Sequence, residues 1–210
     1  VGTLEIDVAQ LERFLKQVQH GPEALKALRY RTGVHWLNPN LDRLSSRMLV
    51  AYDKLCEIVK PPFSILDVGC MCGFLWHHMK RKLGNSFRYT GIDSWEEALQ
   101  VAEEFQPGIE TYKLNIMEDE LPKLEGGWDY VWCSNINFKN PEDIIKRLVP
   151  IGKTILIAQP PWCGDYDTPA RKYGDVEVFD CGETTLHKIT NGHIHIQRAK
   201  DISSGLASQV

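Results

Sequence analysis

The stretch Ile65-Leu66-Asp67-Val68-Gly69-Cys70-Met71-Cys72-Gly73 constrains this chain most. A short apolar run ends in an acid, turns through a loop bounded by glycines, and opens a helix with Phe74, Leu75, Met79 and Leu83 on one stripe. Glycine lets main chain approach a ligand closely and take up conformations barred to other residues. Strand, tight loop and helix in that order predict a parallel strand followed by its crossover helix. In open α/β sheets, ligands bind at the carboxyl ends of such strands.

The pattern around this stretch agrees. From Phe63 onward, short apolar runs alternate with helical stretches, the mark of strand–helix units on a parallel sheet. Strands are expected at 64–68, 88–92, 111–114, 129–133 and 154–158. Ser94-Trp95-Glu96-Glu97 has the form of a capping box. Asn140-Pro141 reads as a helix cap followed by a first-turn proline. Pro160 to Asp175 leaves room for a short helix at most. A strand at 176–179 is followed by Asn191-Gly192, set between 184–190 and 193–199, which is a two-residue hairpin signal. Ahead of Phe63 the periodicity is purely helical: Leu4, Val8, Leu11, Leu15 and Val18, then Leu41, Leu44, Met48, Leu55 and Val59. We therefore expect an N-terminal helical cap over 1–60, an α/β domain over 61–200 and a polar tail over 201–210.

Composition narrows the function classes. With 43% apolar and 25% charged residues in 210, the chain is an ordinary globular one, and disordered or low-complexity architecture is excluded. No apolar run reaches the length of a bilayer span. Twenty-four basic against 28 acidic residues give a formal charge of -4, which disfavours a nucleic-acid partner. Most of the six cysteines sit in apolar runs, as reduced buried thiols do, so a cytoplasmic location is expected.

A second acid, Asp93, closes the next strand, where a carboxylate accepts ribose hydroxyls in dinucleotide folds. The dinucleotide fingerprint itself does not fit. Its G-x-G-x-x-G spacing is replaced by G-x-x-x-G with Met71 at the centre, and an acid before the loop repels phosphate. A cationic amino-acid moiety suits Asp67 better. Asp67 to Gly73 resembles the first motif of the class I S-adenosylmethionine-dependent methyltransferases, D/E-x-G-x-G-x-G after a strand. Further matches follow in order: Gly91-Ile92-Asp93-Ser94, Leu114-Asn115-Ile116, Trp128-Asp129-Tyr130-Val131 leading to Ser134, and Pro141 through Ile157. The resemblance covers 63–159. It departs at Met71, where the family has glycine, and at Pro150-Ile151-Gly152, where it has Pro-Gly-Gly.

The resemblance implies a Rossmann-like α/β fold: a seven-stranded, mostly parallel sheet with an antiparallel C-terminal hairpin, here with an N-terminal helical extension. It implies S-adenosyl-L-methionine as cofactor and methyl transfer as the reaction. Asp67 with Gly69, Cys70, Met71 and Gly73 would hold the methionine end. Asp93 would take the ribose hydroxyls, and Ser94 and Trp95 would flank the adenine. Asn115 and the Ile116 amide would read the adenine edge, with Asn115 accepting from its amino group. Ser134 would lie beside the methionine moiety, with Asn135 and Asn137 nearer the methyl group.

The acceptor is expected to be a small molecule, met by the ring-rich segments that carry His35, Trp36, Trp162 and Tyr166. His35, Asp165 and Tyr166 are the candidate general bases. Alternatives are a non-catalytic, methyltransferase-like cofactor-binding or partner subunit and, further off, an RNA, DNA or protein methyltransferase. Gln159-Pro160-Pro161-Trp162 resembles the motif of enzymes that methylate exocyclic amines in nucleic acids, but it follows the fifth strand rather than the fourth and is read as a rigid loop. Cys70-x-Cys72 and His77-His78 invite a metal. Adjacent helical histidines point about 100° apart, however, so no metal is expected.

Overall fold

The computed structural model describes residues 41–134, 140–160, 164–182 and 184–190, with only the helical backbone given for 41–47. The elements run α1 (Leu41–Ile58), β1 (Phe63–Val68), α2 (Phe74–Leu83), β2 (Phe87–Asp93), α3 (Glu96–Phe105), β3 (Thr111–Lys113), β4 (Trp128–Ser134), α4 (Pro141–Leu148), β5 (Gly152–Gln159), α5 (Asp167–Ala170), β6 (Asp175–Asp180) and β7 (Thr185–Thr190). The seven strands form one sheet in the order β3-β2-β1-β4-β5-β7-β6. The five from β3 to β5 are parallel, and β7 runs antiparallel to both its neighbours. The strand order reverses between β1 and β4. The carboxyl end of β1, where Asp67 stands, therefore borders the crevice in which ligands bind in such sheets.

The two faces of the sheet carry separate cores. On one, Ile65, Tyr89, Trp132 and Leu156 pack against Ala51, Tyr52, Leu55 and Val59 of the α1 segment and against Leu75 and Met79 of α2. On the other, Leu66, Val68, Ile92, Val131 and Ile155 pack against Ile144, Ile145 and Leu148 of α4 and against Tyr166 and Ala170. Strand alternation produces this division, since successive side chains of β1 go to opposite faces. It also accounts for β1 being buried along its whole length. α1 presents Met48, Tyr52 and Leu55 at helical spacing, and Val59 follows just past its end, as the periodicity predicts. α2 ends with Lys80, Arg81 and Lys82 in its last turn, where cations suit the helix dipole. α4 starts as expected, with Asn140 Oδ1 accepting from the Glu142 amide at 3.1 Å and Pro141 in the first turn.

One local expectation is corrected. Ser94 and Glu97 form no capping box. Trp95 is the cap of α3, and the Asp93 Oδ1 accepts the Trp95 N–H at 2.9 Å, so the acid two residues upstream makes the turn instead. Among the described residues a hairpin is formed by β6 and β7; the one expected across Asn191-Gly192 lies outside them. Both edges of β7 are paired, with β5 and with β6, and the strand expected at 193–199 lies outside the described residues. Residues 191–210 lie outside the described residues, as do 1–40, so most of the expected helical cap and all of the polar tail are not described.

Candidate functional site

The site is built along the carboxyl ends of β1, β2, β3 and β4. Gly69 and Cys70 both donate main-chain N–H to the Ile92 carbonyl, at 2.8 and 3.1 Å, which ties the loop after β1 to the end of β2. Cys70 can lie there because Gly91 has no side chain: a Cβ at Gly91 would meet the Cys70 Sγ at 2.7 Å. Gly73 closes the loop with φ +77°, and a Cβ there would meet Ile109 Cδ1 at 2.6 Å, so only glycine fits.

Met71 occupies the position where the resembled motif has glycine. It adopts a glycine-like conformation all the same, with φ +48°. That geometry turns its N–H onto the Asp93 Oδ2 at 2.9 Å. The loop thus bears the strain of a side chain in the left-handed region.

Asp93 is half-buried, and both its oxygens accept main-chain N–H groups, from Met71 and Trp95. Each oxygen keeps a further lone pair, so the carboxylate is fixed in orientation and still able to accept from a diol.

Asp67 is 2% exposed, and its Oδ2 accepts from the Tyr89 hydroxyl at 2.6 Å. Burial pushes its carboxyl up to about 7; the Tyr89 hydrogen bond opposes the rise and the nearby charge of Asp93 adds to it. Among the described residues, no cationic side chain contributes to that balance. A buried acid beside a second acid, without a protein cation, fits a ligand that brings its own positive charge. Burial also raises the thiols of Cys70, Cys72 and Cys133, keeping them protonated and unreactive.

Sequence reasoning missed Tyr52. It is buried on α1, with its ring 5.7 Å from both Trp132 and His78, and its hydroxyl shares a hydrogen bond with the Ser134 side chain. Burial and the charge of Asp67 hold its phenol well above the usual range. Helical periodicity marks position 52 as core-facing, but nothing local shows that it reaches the ends of β1 and β4.

At the end of β3, the Leu114 N–H donates to the Asp93 carbonyl at 2.9 Å, which ties the segment carrying Asn115 and Ile116 to the end of β2. The Asn115 Oδ1 accepts from the Met117 N–H at 3.0 Å. That oxygen keeps a second lone pair, so it can still accept from an amino group.

The structure brings Asp67, Gly69, Cys70, Met71, Gly73, Asp93, Asn115, Ile116 and Ser134 to this one edge. Ser94 is exposed and Trp95 half-buried just beyond it. It does not bring Tyr166 there. That ring is 1% exposed in the core on the other face, 6.2 Å from the His187 ring. The Asp165 Oδ1 accepts the Asp167 and Thr168 amides, capping α5. His35, Trp36, Asn135, Asn137 and Trp162 lie outside the described residues. His77 and His78 part company, to Gln106 Oε1 at 3.2 Å and Asp53 Oδ1 at 2.9 Å. The described residues contain no group of three metal-ligating side chains, and none of their helices is long and apolar enough to cross a membrane.

Residues 65–151 match the family described as "Methyltransferase domain". Among solved structures, a SAM-dependent methyltransferase from Aquifex aeolicus is 18% identical with a TM-score of 0.55, over 69% of this chain and 92% of its own. The PH0226 protein from Pyrococcus horikoshii OT3 is 15% identical with a TM-score of 0.56, over 70% and 89%. A protein from Thermoplasma acidophilum is 16% identical with a TM-score of 0.56, over 90% and 99%. At these identities the structures share the fold. No curated protein sequence matches the chain.

Proposed function

We propose that the chain, whose residues 65–151 match the family described as "Methyltransferase domain", is a class I, S-adenosylmethionine-dependent methyltransferase that transfers a methyl group from that cofactor to a small-molecule acceptor. The observation that carries this reading is Asp67: a buried carboxyl without a cationic partner among the described residues, at the switch point of a parallel sheet, one strand from a second acid.

Asp67, ionised, receives the ammonium of the methionine end. The main chain of the Gly69–Gly73 loop packs along that moiety. Asp93, already oriented by two N–H groups, accepts from the ribose hydroxyls. Asn115 and Ile116 border the adenine. Ser134, held by Tyr52, lines the methionine side. The cofactor, when bound, supplies an activated methyl group. The chain's part is to align an acceptor with it and keep water away, because an in-line displacement depends on positioning. Asp165 and Tyr166 are engaged elsewhere, which favours an acceptor atom that holds no proton at neutral pH, or a base from His35 or its neighbours.

The same engagement keeps a second reading in view, a cofactor-binding subunit without turnover. The formal charge of -4 supports a small acceptor over a nucleic acid, and the free cysteines Cys56, Cys70, Cys72, Cys133 and Cys181 support a reducing, cytoplasmic setting. Calorimetry with S-adenosylmethionine, S-adenosylhomocysteine and NAD tests the cofactor. Binding of the two sulfur ligands and not NAD is expected, and binding of neither rejects the proposal. Transfer of labelled methyl into a small-molecule extract then separates enzyme from binding subunit.

A further inference from the structure

The turn after β3 closes largely on itself. The Asn115 N–H donates to Asp119 Oδ2 at 2.7 Å and the Met117 N–H to Asn115 Oδ1 at 3.0 Å. The Glu118 and Asp119 amides both donate to the Asn115 carbonyl, at 3.1 and 2.9 Å. One side chain from a distant element grips this turn. Arg147, in the last turn of α4, donates from Nε to the Ile116 carbonyl at 2.9 Å and from Nη2 to the Asp119 carbonyl. A planar guanidinium holding two carbonyls of one turn sets its orientation as well as its position. The platform behind it is rigid, because Ile144, Ile145 and Leu148 of α4 are fully buried in the core that includes Val68 and Ile92.

The peptide between Ile116 and Met117 is therefore held at both ends. Arg147 donates to its carbonyl and its N–H donates to Asn115 Oδ1. Hydrogen bonds in series through one peptide reinforce each other. This series of bonds engages the Asn115 oxygen and fixes the main chain at Ile116. The Ile116 N–H itself meets no acceptor among the described residues.

We propose that Arg147 is a positioning residue for recognition of the purine base. From the far face of the sheet, it holds the Ile116 N–H as a fixed donor where a ring nitrogen of adenine has to accept. The proposal rests on the cofactor reading given above. A 6-oxo purine carries a proton on the nitrogen beside its oxygen and would set donor against donor, so the arrangement selects a 6-amino purine. Arg147 touches no ligand and acts only through the turn.

The test measures dissociation constants of the full chain and of Arg147→Gln and Arg147→Lys for S-adenosylhomocysteine and for S-inosylhomocysteine, its 6-oxo counterpart. The unaltered chain is expected to prefer the adenine compound. Arg147→Gln is expected to lose roughly fivefold to tenfold of that preference, the scale of one mispositioned hydrogen bond. Arg147→Lys, which keeps the charge and can reach one carbonyl, is expected to lose less. Equal weakening toward both compounds, as a loosened fold gives, overturns the proposal, and so does an unchanged ratio. If Arg147→Gln does not fold, the ratio in Arg147→Lys decides in the same way. An unaltered chain that binds neither compound overturns the cofactor reading itself, whereas a preference that survives both substitutions overturns only the role of Arg147.

Discussion

Replacing Asp67 with Asn separates what this residue does for the fold from what it does for the ligand. Asn keeps the shape and an oxygen for the Tyr89 hydroxyl, and it removes the charge. In the folded chain the Asp67 carboxyl ionises at about 7, against an ordinary value of 3.8. Between those two values the folded state holds a proton that the unfolded state has released, so stability falls as pH rises through the window. Well above pH 7, the buried charge lowers stability by about 4 kcal/mol relative to pH below 3.8. Asp67→Asn does not titrate. The variant's advantage over the unaltered chain is therefore expected to grow by about that amount between pH 4 and pH 8. Urea unfolding followed by tryptophan fluorescence at several pH values measures it. Taking the difference between the two proteins cancels the other titrating groups, including His78 and His187, both lowered by burial. The variant should bind S-adenosylhomocysteine roughly a hundredfold more weakly, since a charged hydrogen bond is lost. A stability difference that stays constant with pH, or a variant less stable at pH 8, refutes the argument that Asp67 carries an unpaired buried charge.

Met71→Gly is expected to stabilise the chain by about 1 kcal/mol, because it relieves a left-handed side chain while leaving the N–H to Asp93 in place. A fall in the urea midpoint would show instead that the Met71 side chain packs productively. Tyr52→Phe removes the hydroxyl that steadies Ser134. It is expected to weaken S-adenosylhomocysteine and to leave 5′-methylthioadenosine, which lacks the amino-acid end, unchanged. Equal effects on both ligands would place Tyr52 outside the methionine subsite.

The strand ends were legible because each feature there is local. An apolar run, an acid and a glycine loop in succession leave few backbone paths, and Asp67, Asp93 and Ser134 fall in register once the strands pair in parallel. What depends on tertiary placement was not legible. Periodicity places Tyr52 on the buried face of its helix but does not say which strand ends it meets. Ser94 loses the cap of α3 to Asp93, whose position is set by β2 rather than by the helix. Tyr166, from a ring-rich loop, faces the opposite core because α5 turns it under the sheet. Arg147 belongs to the same class, since its partners lie 31 and 28 residues away in sequence.

The central claim is that the ionised Asp67 carboxylate receives the cationic end of the cofactor. The number of protons released when S-adenosylhomocysteine binds at pH 6 tests it most directly, measured by calorimetry in buffers of different ionisation enthalpy. A carboxyl ionising at about 7 is mostly protonated at pH 6 and must give up its proton to meet an ammonium group, so release of about 0.9 proton is expected. Binding without proton release at pH 6, or with the same release in Asp67→Asn, contradicts it.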